Sequence, residues 1–193
     1  ILFENKRYLT KFPTQITSNQ LTDVFNTLSQ FVRDLNPEIR SKIKFRTKGK
    51  YVDNSEKRFS EMFGKESVDK VSSNRPFKNI ILNSKLIIVA YPETAFSEAM
   101  YSNTPTVLII KKNHWQFSKA ALQTFNVLKE NKIAFEDVNE ARIHINKYWK
   151  EIEIWWKSKN VQSARKIFLT NFFNITPDWY REWSDYIHSS LSS

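Results

Sequence analysis

Two short apolar runs, "KLIIVA" at residues 85–90 and "TVLII" at residues 106–110, constrain this chain more than any other feature. Both contain β-branched residues, neither alternates with polar side chains, and each is too short to form a core helix alone. A strand without polar alternation has both faces covered, as strands inside a parallel sheet do. Between the runs, "AFSEAMYSN" reads as a short helix. After them come a helix in "HWQFSKAALQTFNVLKEN", a short strand in "IAFED" and a helix in "VNEARIHINKYWKEI". Strands alternating with helices imply βαβ units, hence an α/β fold with a doubly wound parallel sheet.

The upstream half fits the same rhythm. "SNQLTDVFNTLSQFVRDLN" places Leu21, Val24, Phe25, Leu28, Phe31, Val32 and Leu35 at helical spacing, begun by Ser18 or Asn19 and stopped before Pro37. "KIKFRTK" sets Ile43 and Phe45 between basic residues and reads as a strand. "SEKRFSEMFG" reads as a helix that Gly64 terminates, "VDKVS" as a short strand, and "RPFKNIILNS" as a helix of about two turns with Pro76 near its start. Two aromatic helices close the chain, "NVQSARKIFLTNFF" and "TPDWYREWSDYIHSSL", the latter with Thr176 as N-cap and Pro177 at the first helical position. Trp155, Trp156, Phe168, Phe172, Trp179 and Trp183 could form a stacking platform for nucleic acid, but their helical spacing favours burial.

A length of 193 residues allows one sizeable core. The first residue is Ile1, and the opening "ILFENKRY" runs into what reads as the end of a strand, so we expect a piece of a longer protein. No apolar run approaches the roughly 20 residues that span a bilayer. With no cysteine and three scattered histidines, neither disulfides nor a zinc site is expected. The setting expected is cytoplasmic, with association at the inner face of the membrane as a further option. A net charge of +10 favours anionic partners, whether nucleic acid, lipid headgroups or phosphorylated substrates, although the basic residues are dispersed.

Ligands of open parallel sheets bind beyond the carboxyl ends of the strands, where helices begin. The stretch after Ala90 is such a place. A first helical turn offers unsatisfied N–H groups and the positive end of the helix dipole, which together suit a phosphate. Thr94 can cap that turn or donate its hydroxyl to a phosphate oxygen, and Ser97 lies on the same rim. Glu98, one turn after Thr94, can accept from two ribose hydroxyls. The same pattern serves a purely structural reading, with Thr94 an N-cap and Glu98 an acid near the helix start. Lys111 and Lys112 fall at the carboxyl end of "TVLII", on the ligand side, and Arg75 precedes another helix start. His114 and His144 read as helix-start and helix-surface residues, and His188 lies near the terminus.

"SKLIIVAYPETAFSEAMYSNTPTVLI" resembles the donor-binding segment in the C-terminal half of GT-B glycosyltransferases. There a strand leads to a Thr/Ser-rich turn, a Glu-Ala pair on a helix, and a small-residue-Pro turn into the next strand. The chain is similar more closely to transferases encoded in bacterial surface-polysaccharide loci. The likeness extends through "RYLTKF", "KFRTK", "NRPFKNIILNSKLIIVAYPETAFSEAM", the "HW" helix and "WWKSKNVQSARKIFLTNFF". It implies a Rossmann-like, doubly wound nucleotide-sugar-binding domain over residues 1–150. Residues 151–193 would be C-terminal aromatic helices packing on that domain or on an N-terminal domain of the same polypeptide. It further implies that Thr94, Ser97 and Arg46 contact the donor phosphate and Glu98 the ribose. Two departures stand out: Thr94-Ala95 replaces a pair of hydroxyl residues, and "KFRTKGKYVDNS" lacks the usual Pro and Asp-Tyr-Gly pattern around Arg46.

The implied reaction moves a sugar from a nucleotide-activated donor to a surface-polysaccharide acceptor, with the nucleotide-sugar as substrate and no cofactor or metal. Its partners would be the carbohydrate acceptor, the N-terminal domain and possible membrane surface, with no nucleic acid. No side chain in the sequence stands out as the catalytic base; such enzymes commonly draw it from the N-terminal domain. Two other classes stay open: a non-catalytic basic module binding nucleic acid or a protein partner, and a nucleotide-sugar epimerase of the same fold.

Overall fold

Five short strands pair in parallel throughout: β1 (Leu2–Phe3), β2 (Arg46–Thr47), β3 (Ile87–Val89), β4 (Thr106–Ile109) and β5 (Ala134–Phe135). They come from a computed structural model that describes residues 2–3, 18–47, 54–69, 76–173 and 175–191. The strand order is β2-β1-β3-β4-β5. Leu2 lies opposite both Arg46 and Val89, Val89 opposite Leu108, and Leu108 opposite Ala134, so the strands finish at a common carboxyl edge.

Successive strand residues face opposite sides of a sheet, and both sides are apolar here. Ile88, Ala90, Val107, Ile109 and Phe135 face one cluster. That cluster is filled by α1 (Ser18–Arg33), α2 (Pro37–Arg40), α3 (Ser55–Phe63) and α7 (Val138–Tyr148). Ile87, Val89, Leu108, Ile110 and Ala134 face the other. There α4 (Phe77–Leu82), α5 (Thr94–Tyr101), α6 (Lys119–Glu130), α8 (Ile152–Lys157) and α9 (Lys159–Phe172) pack. The chain is therefore a mixed α/β protein, mostly helical, with a parallel sheet between two apolar layers. The uninterrupted runs of 85–90 and 106–110 have this burial as their cause.

Aromatic rings fix the first layer. Phe45 stacks on Phe59 with ring centroids 4.3 Å apart and meets Phe25 edge-on at 6.1 Å. Gly64 ends α3 with φ +88°, a conformation that favours glycine because it has no Cβ.

Some local expectations need correction. "VDKVS" contributes no strand among its described residues, only a bridge from Val68 to Phe45. Helix α6 starts at Lys119 with Ser118 as its cap, accepting from the Ala121 N–H, so "HWQF" precedes the helix. Thr176 is not the final N-cap. Its hydroxyl accepts from the Asp178 N–H, and Asp178 precedes α10 (Trp179–Leu191), accepting from Arg181 and Glu182. Trp156 and Phe168 are buried as their spacing predicts, whereas Trp179 and Trp183 are exposed because α10 buries no residue. Among the described residues, no helix is long and apolar enough to cross a membrane.

Candidate functional site

β3 feeds the turn 90–93 and then α5 on one face of the sheet, while β1 precedes α1 on the other face. β1 and β3 are neighbours, with β2 beyond β1 and β4 beyond β3. Connections that leave adjacent strands for opposite faces mark the carboxyl edge where open α/β sheets commonly bind ligands.

Glu93 is the N-cap of α5, with extended backbone, and its carbonyl accepts from the N–H groups of Phe96 (2.9 Å) and Ser97 (3.2 Å). Thr94 is therefore the first helical residue and does not cap the turn with its side chain, unlike the structural reading of the sequence. The N–H groups of Thr94 and Ala95 precede the first intrahelical bond and point to the carboxyl edge. Thr94 is exposed and Ser97 and Glu98 are half-buried. Their side chains, at i, i+3 and i+4, share one helical face and make no hydrogen bond or ion pair among the described residues.

The rest of α5 is tightly held. Phe96, Ala99 and Met100 are buried, and Phe96 meets Phe168 edge-on at 4.9 Å. At the far end the Trp156 indole N–H donates to the backbone and side-chain oxygens of Asn103, both at 2.9 Å, and Arg165 donates to the carbonyls of Met100 and Tyr101. Asn103 takes φ +59°, a left-handed value that Asn tolerates. Helix α5 is thus anchored at its C-terminal end and along its apolar face, with Thr94 exposed and Ser97 and Glu98 half-buried at its polar N-terminal face.

The other sequence candidates divide. Arg46, on β2, donates to Asp69 at 3.0 Å in a largely buried pair, and the neighbouring Thr47 donates to Glu56 at 2.6 Å. Lys111, just past β4, lies 2.7 and 2.6 Å from the two oxygens of Asp23 on α1. The Lys112 side chain and Arg75 lie outside the described residues. Among the described residues, no group of three or more His, Cys, Asp or Glu could hold a metal ion.

Two members of the edge were not legible beforehand. Asp23 carries no local signal, being one polar position on an amphipathic helix, and it meets its partner across 88 residues of sequence. His114 is not an ordinary helix-start residue: it ends a single 3₁₀ turn, its side chain is 10% exposed, and its Nε2 lies 3.3 Å from the Asp23 carboxylate. Burial pushes the imidazole below its ordinary pKa; Asp23 pulls it back up and Lys111 pushes it further down. Next in sequence, Trp115 packs edge-on against Tyr91 with centroids 5.9 Å apart, joining the loop after β4 to the turn after β3. His144 corrects the sequence reading outright: it is buried rather than on the helix surface, against Phe135, Tyr148 and Trp155.

A protein-family model described as LIC12162 family transferase matches residues 1–187. The chain belongs to that family. At this level the LIC12162 family member is a transferase, and the matched span includes every element from β1 into α10. No curated protein and no solved structure matches it.

Proposed function

We propose that this chain is the donor-binding domain of a glycosyltransferase that moves a sugar from a nucleotide-activated donor to a surface-polysaccharide acceptor. One observation carries the reading. At the start of α5, two backbone N–H groups and the side chains of Thr94, Ser97 and Glu98 share one edge with no internal partner among the described residues. A helix start favours an anion through its N–H groups and dipole, and hydroxyls beside it complete a phosphate shell. A carboxylate one turn further on suits the paired hydroxyls of a ribose. The strand order β2-β1-β3-β4-β5, with α1 and α5 on opposite faces, supports a Rossmann-like, doubly wound sheet, half of a GT-B fold, with its switch point beside this turn. Transfer chemistry of this kind relies on stabilising charge on the departing phosphate.

In this reading Lys111 leaves Asp23 to reach the phosphates. Arg46 lies on β2, with β1 between it and β3, and reaches the phosphate only on leaving Asp69, as Lys111 leaves Asp23. The Lys112 side chain and Arg75 remain candidate contacts. The carbohydrate acceptor and an N-terminal domain of the same polypeptide complete the site, at the cytoplasmic face of the membrane.

The test is calorimetric titration of the full-length protein with UDP, GDP and CMP, alongside Glu98→Ala. Hydrogen bonds to a charged group contribute about 1.5–3 kcal/mol, so Glu98→Ala should weaken binding by about 10- to 150-fold. The reading fails if no nucleotide binds, or if one binds with equal affinity to both proteins.

A further inference from the structure

Helix α10 presents an apolar stripe that nothing covers among the described residues. Trp179, Trp183, Ile187 and Leu191 recur every four residues along one side, and all four are exposed. A helix of 13 residues is marginal alone in water, and packing of an apolar face is what ordinarily holds it. A contiguous exposed stripe of large apolar side chains marks an interaction surface.

The same chain carries a groove of matching chemistry. Between α6 and α9 lies a cavity of about 520 Å³, walled by Val127, Ile167 and Phe172. Asn171 donates to the buried Thr124 hydroxyl at 2.8 Å in its lining, and Ile167 and Phe172 are exposed at its rim.

We propose that α10 of one copy docks in the α6–α9 groove of a second copy, its tryptophans against Val127, Ile167 and Phe172, and that the exchange is reciprocal. Charge complementarity selects this occupant. The chain as a whole carries +10, which opposes association of two copies. Residues 178–191 run the other way, with the acids Asp178, Glu182 and Asp185 against the single Arg181. Helices α6 and α9 hold five Lys or Arg against one acid, Glu130. Glu182 directly precedes Trp183 of the stripe, while Lys119 and Lys166 directly precede Ala120 and Ile167 of the groove. Glu182, Asp185, Lys119 and Lys166 have no ion-pair partner among the described residues. The acids of α10 also oppose docking on an anionic membrane surface, which attracts basic segments.

The size fits as well. At 63% and 60% exposure, Trp179 and Trp183 leave roughly 150 Å² each to be covered, so the four tryptophans of a dimer and the surface facing them bury roughly 1,200 Å², the lower bound of stable interfaces. Because each copy offers both a helix and a groove, a twofold arrangement fills both grooves and closes.

The experiment is sedimentation velocity of the full-length protein over a concentration series, at low and high salt. Wild type should form a dimer that weakens as salt rises. Glu182→Lys with Asp185→Lys, or Lys119→Glu with Lys166→Glu, should each weaken it by about 10-fold or more, and all four changes together should restore it. Trp183→Ala should weaken it by about 30-fold or more. These positions are all exposed, and restoration by the combined variant excludes misfolding as the cause. A dimer that neither charge pair weakens, or a combined variant no tighter than the pairs, overturns the proposal. So does wild type that stays monomeric: if it co-sediments with phosphatidylglycerol vesicles, lipid covers the stripe, and if it does not, another part of the same polypeptide does.

Discussion

Replacing His144 by Phe should remove a large part of the acid sensitivity of this fold. The imidazole is 8% exposed, and its ring lies 5.5 Å from Phe135, 4.8 Å from Tyr148 and 4.7 Å from Trp155, centroid to centroid. Its Nε2 has no hydrogen-bond partner among the described residues. Burial, then Lys132 and Lys147, lower its pKa from 6.5 to about 4. A folded-state pKa below the unfolded value means that the native state binds fewer protons over this interval, so stability rises with pH there. The stabilisation is complete above pH 6.5, falls as pH drops through the window, and levels off below about 4. With 1.36 kcal/mol per pKa unit, the loss at about pH 5 is about 2 kcal/mol, and at about pH 7.5 it is close to zero. Phe fits the aromatic surroundings and cannot protonate. Urea midpoints for wild type and His144→Phe at the two pH values test this: the variant should gain about 2 kcal/mol relative to wild type on going to the lower pH. A stability difference that is the same at both pH values would refute the reasoning.

Trp156 should be the residue on which the placement of α5 most depends. Trp156→Phe, which loses the N–H bonds to Asn103, should cost about 1 kcal/mol, and Trp156→Ala about 3–5 kcal/mol, by chemical denaturation. By contrast Glu98→Ala should leave the unliganded protein within about 0.5 kcal/mol of wild type, since Glu98 makes no side-chain bond among the described residues; a larger loss would mean that Glu98 is a structural residue.

Where local chemistry decides structure, the sequence was readable. The apolar positions from Leu21 to Phe31 recur at helical spacing, and α1 follows. The lack of alternation in residues 85–90 and 106–110 required cover on both faces, and two apolar clusters supply it. Gly64 marked the end of α3. At the edge of the sheet and in the core, what failed depended on partners distant in sequence. His144 reads as a surface residue until Phe135 and Trp155 close over it, and the pairing of Asp23 with Lys111 and His114 exists only because α1 crosses beside β4. The start of α10 shifted because Asp178, rather than Thr176, supplies the first helical carbonyl. At the site, Thr94, Ser97 and Glu98 were identifiable as a group because i, i+3 and i+4 share a helical face. That their side chains make no bond among the described residues could be learned only from the surrounding packing.

The account turns on an anion resting against the first turn of α5. Backbone amide NMR during titration of the full-length protein with UDP, GDP or CMP measures this directly. The largest shifts should fall on the Thr94 and Ala95 amides, followed by Ser97 and Glu98, and should shrink at high salt. Binding that leaves those amides unmoved while shifting residues on α10 or elsewhere would contradict it.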